Sequence, residues 1–464
     1  MRYLLILLTV LLPARALAAE TAALESAVEA ARLAEGIPGV SVMIARGGET
    51  LFKQGFGHAN VELGTPATPQ SVYQIGSLSK TFTAMGVMLL VEDGKLALDE
   101  SITHYLPEAP AHWKPVTLRT LVGMRSGIAD YEEASLGGDS EAAIDLRRDY
   151  TDAELVTRLA RPPLIFAPGT RIQYSNSNYV VLGALITKIA GEPYTDFLAR
   201  RLFGPVGMNT ARKASLQALI PNRADGYWRE EGQLRNADWV SPTLYSTGDG
   251  GLMMSVNDLE AWHRLLTAKS GGVSEIPPRM WPVAPFSDGS HPVIRYALGW
   301  QSQEVGGVAV VGHGGTWAGY RAYFLHVPST GLSVAVLANL ESAGTGRLAW
   351  KLAGLVDPTL YRQAAAGDPD PKTTQAHRAL FKALLDGKAI EDGITSEGAA
   401  LWTGRARQEL LDFASSVRTF QSFALIRRDK REAIYRLDAG RFDVVLEMAL
   451  DRKRRVSGIN VTIE

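Results

Sequence analysis

The chain has 464 residues, of which 46% are hydrophobic and 21% are charged, and its formal net charge is −1. This composition is that of a globular protein with a sizeable core, and the length suffices for more than one folded unit. A net charge so close to zero gives no whole-chain electrostatic basis for binding nucleic acid or an anionic membrane. The absence of cysteine excludes disulfides, thiolate metal sites and a cysteine nucleophile.

The first residues predict a secretory signal peptide rather than part of the fold. Arg2 precedes the apolar run YLLILLTVLL, and small residues follow at Ala16 and Ala18. Such a run before a small-residue site is typical of a leader cut near Ala18 or Ala19. We therefore expect residues 1–18 to be removed and the protein to be secreted or periplasmic, with no membrane insertion. The alternative is an uncleaved N-terminal anchor.

The segment after the leader region predicts a β-hairpin followed by a helix. Residues 39–57 alternate in hydrophobicity and carry Gly47-Gly48 at their centre, which is typical of a hairpin turn. Apolar residues at helical spacing predict a helix from about Leu78, and Gly94 is its expected stop.

Two loop-to-helix segments are predicted in the middle of the chain. The turn-rich loop FAPGTRIQYSNSNY (166–179) runs into the apolar helix VVLGALITKIAG. The Gly-rich segment YSTGDGGLMMSVNDLEAWHRLL begins as a loop and ends as a helix, with Asn257 or Asp258 as its expected N-cap.

Three strand-like runs follow, at residues 306–315, 320–327 and 331–340. Two strands thus come early, three come late, and helices fill the middle. We predict an α+β fold with one antiparallel sheet of five or more strands that brings the two ends of this region together. Helices are expected to flank the sheet, together with a large helical insertion.

The end of the chain changes character. Residues 363–374, rich in Ala, Asp and Pro, are predicted to be a linker. Helical runs at 375–387 and 404–417 then precede three alternating, strand-like runs. We therefore predict a main domain over residues 19–362 and a small C-terminal α+β domain over residues 375–464.

Several familiar catalytic motifs are absent. No serine lies in G-x-S-x-G, and the chain has no H-E-x-x-H, no G-x-x-x-x-G-K-[ST] and no complete G-x-G-x-x-G. The eight histidines are scattered rather than placed at metal-ligand spacing. We therefore expect no metal and no cofactor.

Ser77 and Lys80, in QIGSLSKTFTA, form a candidate catalytic pair. A serine hydroxyl is a poor nucleophile until a base or a cation helps it to lose its proton. Residues three apart share one face of a helix, so Lys80 can reach Ser77. At the first turn, the Ser77 backbone N–H can also help to hold an oxyanion. The alternative is an ordinary helix start, because the pattern S-x-x-K is expected about once by chance in a chain of this length.

Tyr174 and Asn176, in the triplet YSN, form a second candidate element. A nearby ammonium lowers the pKa of a tyrosine, which can then act as a general base and later as an acid. Asn176 offers an amide donor and acceptor for a substrate or for Lys80. The alternative is a packed tyrosine ring followed by turn residues.

The third element is GHGG, with His313, Gly314 and Gly315 at a predicted strand end. Glycines there allow a ligand to approach the backbone, and the N–H of Thr316 can supply a second oxyanion donor. His313 could bind a substrate carboxylate when charged, or donate a hydrogen bond when neutral. The alternative is a turn with an exposed histidine.

The order of the three motifs resembles the serine β-lactamase and penicillin-binding-protein superfamily, specifically its class C β-lactamase-like group. That group includes D,D-carboxypeptidases, D-aminopeptidases and esterases. The resemblance covers about residues 25–350 and includes the phrases YQIGSLSKTFTA, FAPGTRIQYSNSNY, GDGGLMMSVNDLEAW and VGHGGTWAGY. The C-terminal region resembles the small accessory domain of many such proteins.

The resemblance implies a role for each motif residue. Ser77 would be the acylated nucleophile, Lys80 its activating partner, and Tyr174 the general base and then the acid. Asn176 would contact the substrate amide, and the backbone N–H groups of Ser77 and Thr316 would form the oxyanion hole. Which of Lys80 and Tyr174 deprotonates the serine stays open, because the two groups would titrate together.

Two segments of the chain depart from the group's usual pattern. Its β-lactamases typically carry lysine and threonine where this chain has His313 and Gly314, the substrate-binding positions next to Gly315. A histidine with an ordinary pKa near 6.5 is mostly neutral at pH 7, so binding of a substrate carboxylate should weaken. With a histidine at this position, the chain is similar to the D-aminopeptidase-like and esterase-like members of the group. MRSG (124–127) also replaces the commoner HTSG.

The resemblance therefore implies a secreted serine hydrolase that cleaves an amide or ester, such as a D-amino-acid peptide or ester, through an acyl-enzyme. The expected partner is a small molecule or a short peptide. One alternative is a true class C-like β-lactamase or a D,D-carboxypeptidase. Another is a penicillin-binding or sensor protein that turns over slowly.

Overall fold

The computed structural model describes most of the chain. The described residues are 20–131, 144–237, 240–241, 244–268, 271–292, 294–305, 308–360, 367–388, 390, 392–401, 407, 415–439 and 443–463. The predicted signal peptide lies outside them, as do part of the predicted linker and most of the predicted helical run 404–417.

A seven-stranded antiparallel sheet, here called the main sheet, organises the part of the chain before the C-terminal region. Its strands run in the order β3-β2-β1-β12-β11-β10-β9. This arrangement confirms the predicted sheet of five or more strands, and β3 and β9 are additions to the prediction. With strands numbered in chain order, they are β1 Gly39–Arg46, β2 Glu49–Asn60, β3 Thr65–Pro66, β9 Gln301–Val305, β10 Val308–Trp317, β11 Tyr320–Val327 and β12 Leu332–Ala338.

The early hairpin and the late strands join where β1 pairs with β12, with Val42 opposite Val336. Both strands are buried along almost their whole length. Two strands with apolar side chains on both faces can bury them only if layers of structure cover both faces of the sheet. Pairing distant parts of the chain at the centre of the sheet provides that environment.

Helices cover both faces of the main sheet. Short strand pieces accompany them, namely β4 Tyr73–Gln74, β5 Arg212–Lys213, β6 Tyr227–Glu230, β7 Gln233–Asn236 and β8 Leu252–Met254. The helices are α1 (20–35), α2 Ser79–Glu92, α3 Ile102–Tyr105, α4 Leu118–Val122, α5 Asp152–Leu159, α6 Asn176–Ala190, α7 Tyr194–Leu198, α8 Gly204–Val206, α9 Val256–Thr267, α10 Pro277–Met280 and α11 Thr345–Val356. None of the described helices is both long enough and apolar enough to span a bilayer.

The N-cap predicted for α9 is wrong. Ser255 occupies that position, and Asp258 is the third residue of the helix. The Asp258 carboxylate accepts the Ser255 N–H at 2.8 Å, which closes a capping box. Asp258 therefore stabilises the start of the helix from its third position rather than from the N-cap position.

Two buried histidines and a serine join α9 to the main sheet. Ser333 Oγ lies 2.8 Å from His263 Nδ1 and 2.9 Å from His326 Nδ1. The Gly48 N–H donates to His263 Nε2 at 3.2 Å, so His263 carries its proton on Nδ1 and donates it to Ser333. Ser333 then donates to His326 Nδ1. These hydrogen-bond directions require both imidazole rings to be neutral.

This network predicts a loss of stability in mild acid. Burial lowers the pKa of His263 to about 4 and that of His326 to about 3. Both are near 6.5 in the unfolded chain, so below that pH the unfolded state binds more protons and stability falls. From pH 7.5 to pH 5 the free energy of unfolding should drop by about 2 kcal/mol per histidine.

Urea unfolding at the two pH values measures this change. A His326→Gln variant should show a drop that is smaller by about 2 kcal/mol, because His263 and the buried His313, whose pKa is also lowered, still contribute. An unfolding free energy that is equal at both pH values in the unmodified protein would contradict the buried neutral network.

The described part of the C-terminal region contains the first predicted helix and the three predicted strands, together with two elements that were not predicted. Its strands form a sheet in the order β13-β14-β15-β16, with bounds Ser422–Arg428, Glu432–Asp438, Asp443–Leu450 and Val456–Ile463. Helix α12 is Pro371–Leu385 and helix α13 is Ser396–Leu401. Strand β16 and helix α13 are the additions. Helix α12 begins inside the range assigned to the linker, because Asp370 caps it and Pro371 suits its first turn.

Candidate active site

Ser77 lies in a short 3₁₀ turn, Gly76–Leu78, which connects β4 to α2. Gly76 has φ +51°, and a Cβ there would lie 2.6 Å from the Thr316 carbonyl oxygen. On the facing strand, a Cβ on Gly315 would lie 1.9 Å from the Ile75 carbonyl oxygen. Glycine is therefore required on both sides, and the serine turn packs directly against the backbone of β10.

Lys80 is fully buried on the first turn of α2 and reaches Ser77 as its spacing predicts. Its Nζ lies 3.0 Å from Ser77 Oγ, 2.8 Å from Asn176 Oδ1 and 2.8 Å from the Asp249 carbonyl oxygen. These three contacts match the three N–H donors of an ammonium group.

Asp130 fixes the orientation of the Asn176 amide. One oxygen of its carboxylate accepts the Asn176 backbone N–H at 2.9 Å and the side-chain Nδ2 at 3.2 Å. Because the amide nitrogen faces Asp130, the amide oxygen faces Lys80. Asp130 was not singled out in the sequence, although it lies three residues after the unusual MRSG (124–127).

The MRSG segment holds the start of α6 in place. Ser126 Oγ donates to Asn178 Oδ1 at 2.6 Å, and the thioether of Met124 accepts the Ser175 N–H at 3.4 Å. Arg125 donates to the carbonyl oxygens of Ala284 and Pro285 rather than reaching Ser77. Met124 and Ser126 of this segment therefore hold the start of α6 through hydrogen bonds to Ser175 and Asn178.

Removing Asp130 should impair the site through Asn176. Asp130→Ala deletes a charged acceptor of two hydrogen bonds, so we expect kcat/KM for an amide or ester substrate to fall about 10- to 100-fold. Asp130→Asn keeps an acceptor oxygen and should stay within about fivefold of the unmodified protein. Equal losses in both variants, measured at matched folded fractions, would contradict this positioning role.

Tyr174 stands beside Lys80 at the mouth of the site. Its ring centroid lies 4.9 Å from Lys80 Nζ, and its side chain is half-buried. Together with Ser77 and Thr316 it lines the same cleft. The structure therefore brings the YSN triplet to the Ser77–Lys80 pair, across about a hundred residues of chain.

His313 is buried, with 1% of its surface exposed, so the alternative of an exposed strand-end histidine is wrong. Its Nδ1 lies 2.6 Å from the Gly314 carbonyl oxygen, so Nδ1 is the donor. Its Nε2 therefore accepts the hydroxyl of Tyr296 at 3.0 Å. Burial, reinforced by the charge of Lys80, lowers the pKa of His313 to about 3. A ring that is neutral at pH 7 and engaged at both nitrogens does not act as a cation for a carboxylate.

Asp249 is a further buried residue of the site that sequence reasoning did not assign. Its backbone carbonyl accepts from Lys80, and its carboxylate accepts the Tyr131 hydroxyl at 3.1 Å. Asp249 is the acidic residue of GDGG, in the Gly-rich loop before α9. An acidic residue among glycines was the one sequence feature that pointed to it.

The cleft extends from Ser77 across β10 to the start of α11. Its lining residues are Ser77, Tyr174, Gln301, His313, Gly314, Gly315, Thr316, Arg321, Ala322, Tyr323, Ser342, Ala343, Gly344, Thr345, Gly346 and Arg347. Arg321 and Arg347 bring positive charge to its far end, which the sequence motifs did not indicate.

The main sheet with its flanking helices and helical insertion is the fold of the serine hydrolase superfamily of β-lactamases and penicillin-binding proteins. The family model named Beta-lactamase matches residues 24–357. The chain therefore belongs to the beta-lactamase family.

Two curated relatives show what the chain is similar to. It is 32% identical to a D-aminopeptidase of Gluconobacter oxydans over 79% of this chain and 66% of that protein, which is just under two thirds of the relative's length. It is 26% identical to penicillin-binding protein 4* of Bacillus subtilis, over 82% of this chain and 86% of that protein.

Two solved structures share the fold. The octameric penicillin-binding protein homologue from Pyrococcus abyssi matches with a TM-score of 0.62 at 23% identity, over 96% of this chain and 98% of that one. A D-stereospecific amidohydrolase from Streptomyces sp. matches with a TM-score of 0.58 at 24% identity, over 71% of this chain and 97% of that one.

Proposed function

We propose that the protein is a secreted serine hydrolase that cleaves an amide or ester bond through an acyl-enzyme on Ser77. The observation that carries the proposal is the 3.0 Å contact between Lys80 Nζ and Ser77 Oγ, made by a lysine with no exposed surface. Burying a lysine is costly, and polar groups buried at such cost are concentrated at functional sites.

Lys80 has two partners that can only accept hydrogen bonds. Asn176 Oδ1 and the Asp249 carbonyl take two N–H groups, which directs the third position on Nζ toward Ser77. As an ammonium, Lys80 donates there and stabilises a serine alkoxide. As a neutral amine, it presents a lone pair that can take the serine proton. Tyr174 is the other candidate base, and proton transfer would then pass through its hydroxyl.

The acylation step would form a bond between Ser77 Oγ and the substrate carbonyl carbon. The resulting oxyanion would accept from the backbone N–H groups of Ser77 and Thr316, whose chain segments are in contact through Gly76 and Gly315. The leaving group would take a proton from the Tyr174–Lys80 pair. Water would then attack the acyl-enzyme and release the acid.

The substrate class we favour is a D-amino-acid amide, peptide or ester. Support comes from the D-aminopeptidase relative and the D-stereospecific amidohydrolase that shares the fold. The neutral His313 supports it too, because a β-lactam carboxylate would find no cation at that position.

Intact-mass measurement tests the proposal. The protein is mixed with a fluorophosphonate, a penicillin, p-nitrophenyl esters and D-amino-acid amides, and any adduct is located by peptide mapping. We expect an adduct on Ser77 and release of product from an ester or amide. An adduct with penicillin that persists for hours, with no turnover of any substrate, would favour a slow penicillin-binding protein instead. No adduct with any reagent would overturn the proposal.

A further inference from the structure

We propose that one end of the C-terminal sheet is a docking surface for an anionic lipid bilayer, which it binds at the headgroups without insertion. The surface consists of five exposed cations, here called the basic edge, namely Lys430, Arg431, Arg452, Lys453 and Arg454. The proposal goes beyond acyl transfer in the main cleft and does not depend on it. The whole chain has a net charge of −1, so the positive charge that would attract a bilayer is local.

The order of the strands brings the five cations together. Because β13, β14, β15 and β16 pair as antiparallel neighbours, the β13–β14 turn and the β15–β16 turn lie at the same end of the sheet. The Leu450 N–H donates to the Arg431 carbonyl at 2.6 Å, so the two turns are adjacent. Lys430 and Arg431 belong to the first turn and the other three cations to the second. All five can therefore face a single anionic surface.

The acidic residues of the two turns are engaged elsewhere. Asp429 accepts two backbone N–H groups of its own turn, at 2.7 and 3.0 Å. Asp451 accepts two in the second turn, at 2.8 Å each, and also pairs with Arg455. Glu432 pairs with Arg427. Among the described residues, no carboxylate lies within 4 Å of a cation of the basic edge, which keeps an excess of positive charge.

Two further acids lie at the start of α12 and offset only part of this charge. Asp368 pairs with the half-buried Arg428 at 3.6 Å. Hydrogen bonds from Thr373 lower the pKa of Asp370, and the charges of Arg428 and Arg454 add to the effect. Asp370 is therefore ionised at neutral pH and opposes one of the five cations through space.

Arg454 occupies a backbone conformation that suits glycine better. Its φ is +62°, in the left-handed region that L side chains disfavour. Glycine adopts this conformation without the steric cost, so an arginine here lowers the stability of the turn. Local stability thus does not favour a cation at this position, whereas binding to an anionic surface does.

The composition of the basic edge favours a bilayer over nucleic acid. Residues 429–431 and 451–455 include no aromatic side chain on which a base could stack. They form short turns rather than a helix or ribbon that could enter a groove. They include no apolar side chain either, so their contact with headgroups would be electrostatic, as it is for clusters of about four to eight lysines and arginines that bind anionic lipids. An exported chain, as the predicted leader implies, would also meet lipid headgroups rather than chromosomal DNA.

Co-sedimentation with vesicles tests the basic edge. The full chain is mixed with vesicles of phosphatidylcholine that contain about 30% phosphatidylglycerol, and with pure phosphatidylcholine vesicles, at about 50 mM and about 500 mM NaCl. We expect binding to the anionic vesicles that is strong at low salt and lost at high salt. No binding to anionic vesicles at low salt, or equal binding to neutral vesicles, would overturn the proposal.

A variant with Arg452→Gln, Lys453→Gln and Arg454→Gln locates the surface. Each lost cation should weaken binding about fivefold, so the partition coefficient of the triple variant should fall roughly 100-fold. The matched control carries Arg200→Gln, Arg235→Gln and Arg279→Gln, which change the net charge equally at exposed, acid-paired positions of the main-sheet region. The control should bind within about threefold of the unmodified protein. Equal losses in the two variants would contradict a localised surface.

Arg454→Gly separates binding from folding. This change removes one cation and relieves the backbone, so we expect about fivefold weaker vesicle binding with an unchanged or higher urea midpoint. Unchanged binding of this variant and of the triple variant would overturn the basic edge. A fluorescent DNA duplex is tested in parallel, and binding at a lower phosphate concentration than the anionic vesicles require would identify nucleic acid as the partner and overturn the bilayer.

Discussion

Ser77→Ala should form no covalent adduct and should turn over amide or ester substrates at least about 10⁴-fold more slowly than the unmodified protein. The change removes one oxygen atom from a half-buried side chain, so the fold should be preserved. The Oγ is the atom that Lys80 contacts, and no neighbouring group can replace a missing nucleophile. Intact-mass spectrometry and steady-state kinetics measure the two effects.

Ser79→Ala is the matched control, two residues further along the chain. Ser79 is buried in the first turn of α2, but its Oγ accepts the Leu252 N–H at 3.2 Å rather than facing Lys80. This variant should still form the adduct. An adduct of the same mass on Ser77→Ala would mean that another residue is the nucleophile.

Lys80→Met should slow acylation of Ser77 by about 10³-fold. Methionine has nearly the same length and no charge, so it fills the space while removing both possible functions of the amine, the proton acceptor and the stabilising cation. The carbonyl oxygens of Asn176 and Asp249 would lose their shared donor. Single-turnover kinetics with an activated ester separate acylation from the later hydrolysis.

Lys188→Met provides the comparison on α6. Lys188 is exposed and pairs with Glu108 at 2.8 Å on the protein surface, so its loss should leave the acylation rate within about twofold. If Lys80→Met acylates within tenfold of the unmodified protein, Lys80 does not activate Ser77. Tyr174 would then be the remaining candidate for that role.

The elements that the sequence predicted well are those whose cause is local. The hairpin β1–β2 is marked by its turn at Gly47-Gly48, because both glycines have the positive φ that a tight hairpin turn requires. Helix α2 begins at Ser79, one residue from its predicted start, because its apolar spacing is a property of neighbouring residues. The short strand β3 and the edge strand β9 were missed, since neither has a pattern that separates it from a loop.

The same distinction holds for the candidate site. Ser77 and Lys80 lie three residues apart, and residues at this spacing share one face of a helix, so their contact was predictable from the sequence. The order of the three motifs indicated the superfamily, and this resemblance predicted that Tyr174 and Asn176 lie beside Ser77 and Lys80. The structure places these four residues together.

Tertiary structure alone decided the environment of those residues. Asp130 and Asp249 become neighbours of the site through contacts that span 46 and 169 positions of the chain. The neutral state of His313 depends on Tyr296 and on burial, and the place of Arg321 in the cleft depends on the pairing of β10 with β11. Charge and burial are set by which distant segments pack together, whereas the spacing of the proposed catalytic pair is set by one turn of helix. The sequence by itself therefore determined the proposed nucleophile, and only the folded chain determined the charges and the burial around it.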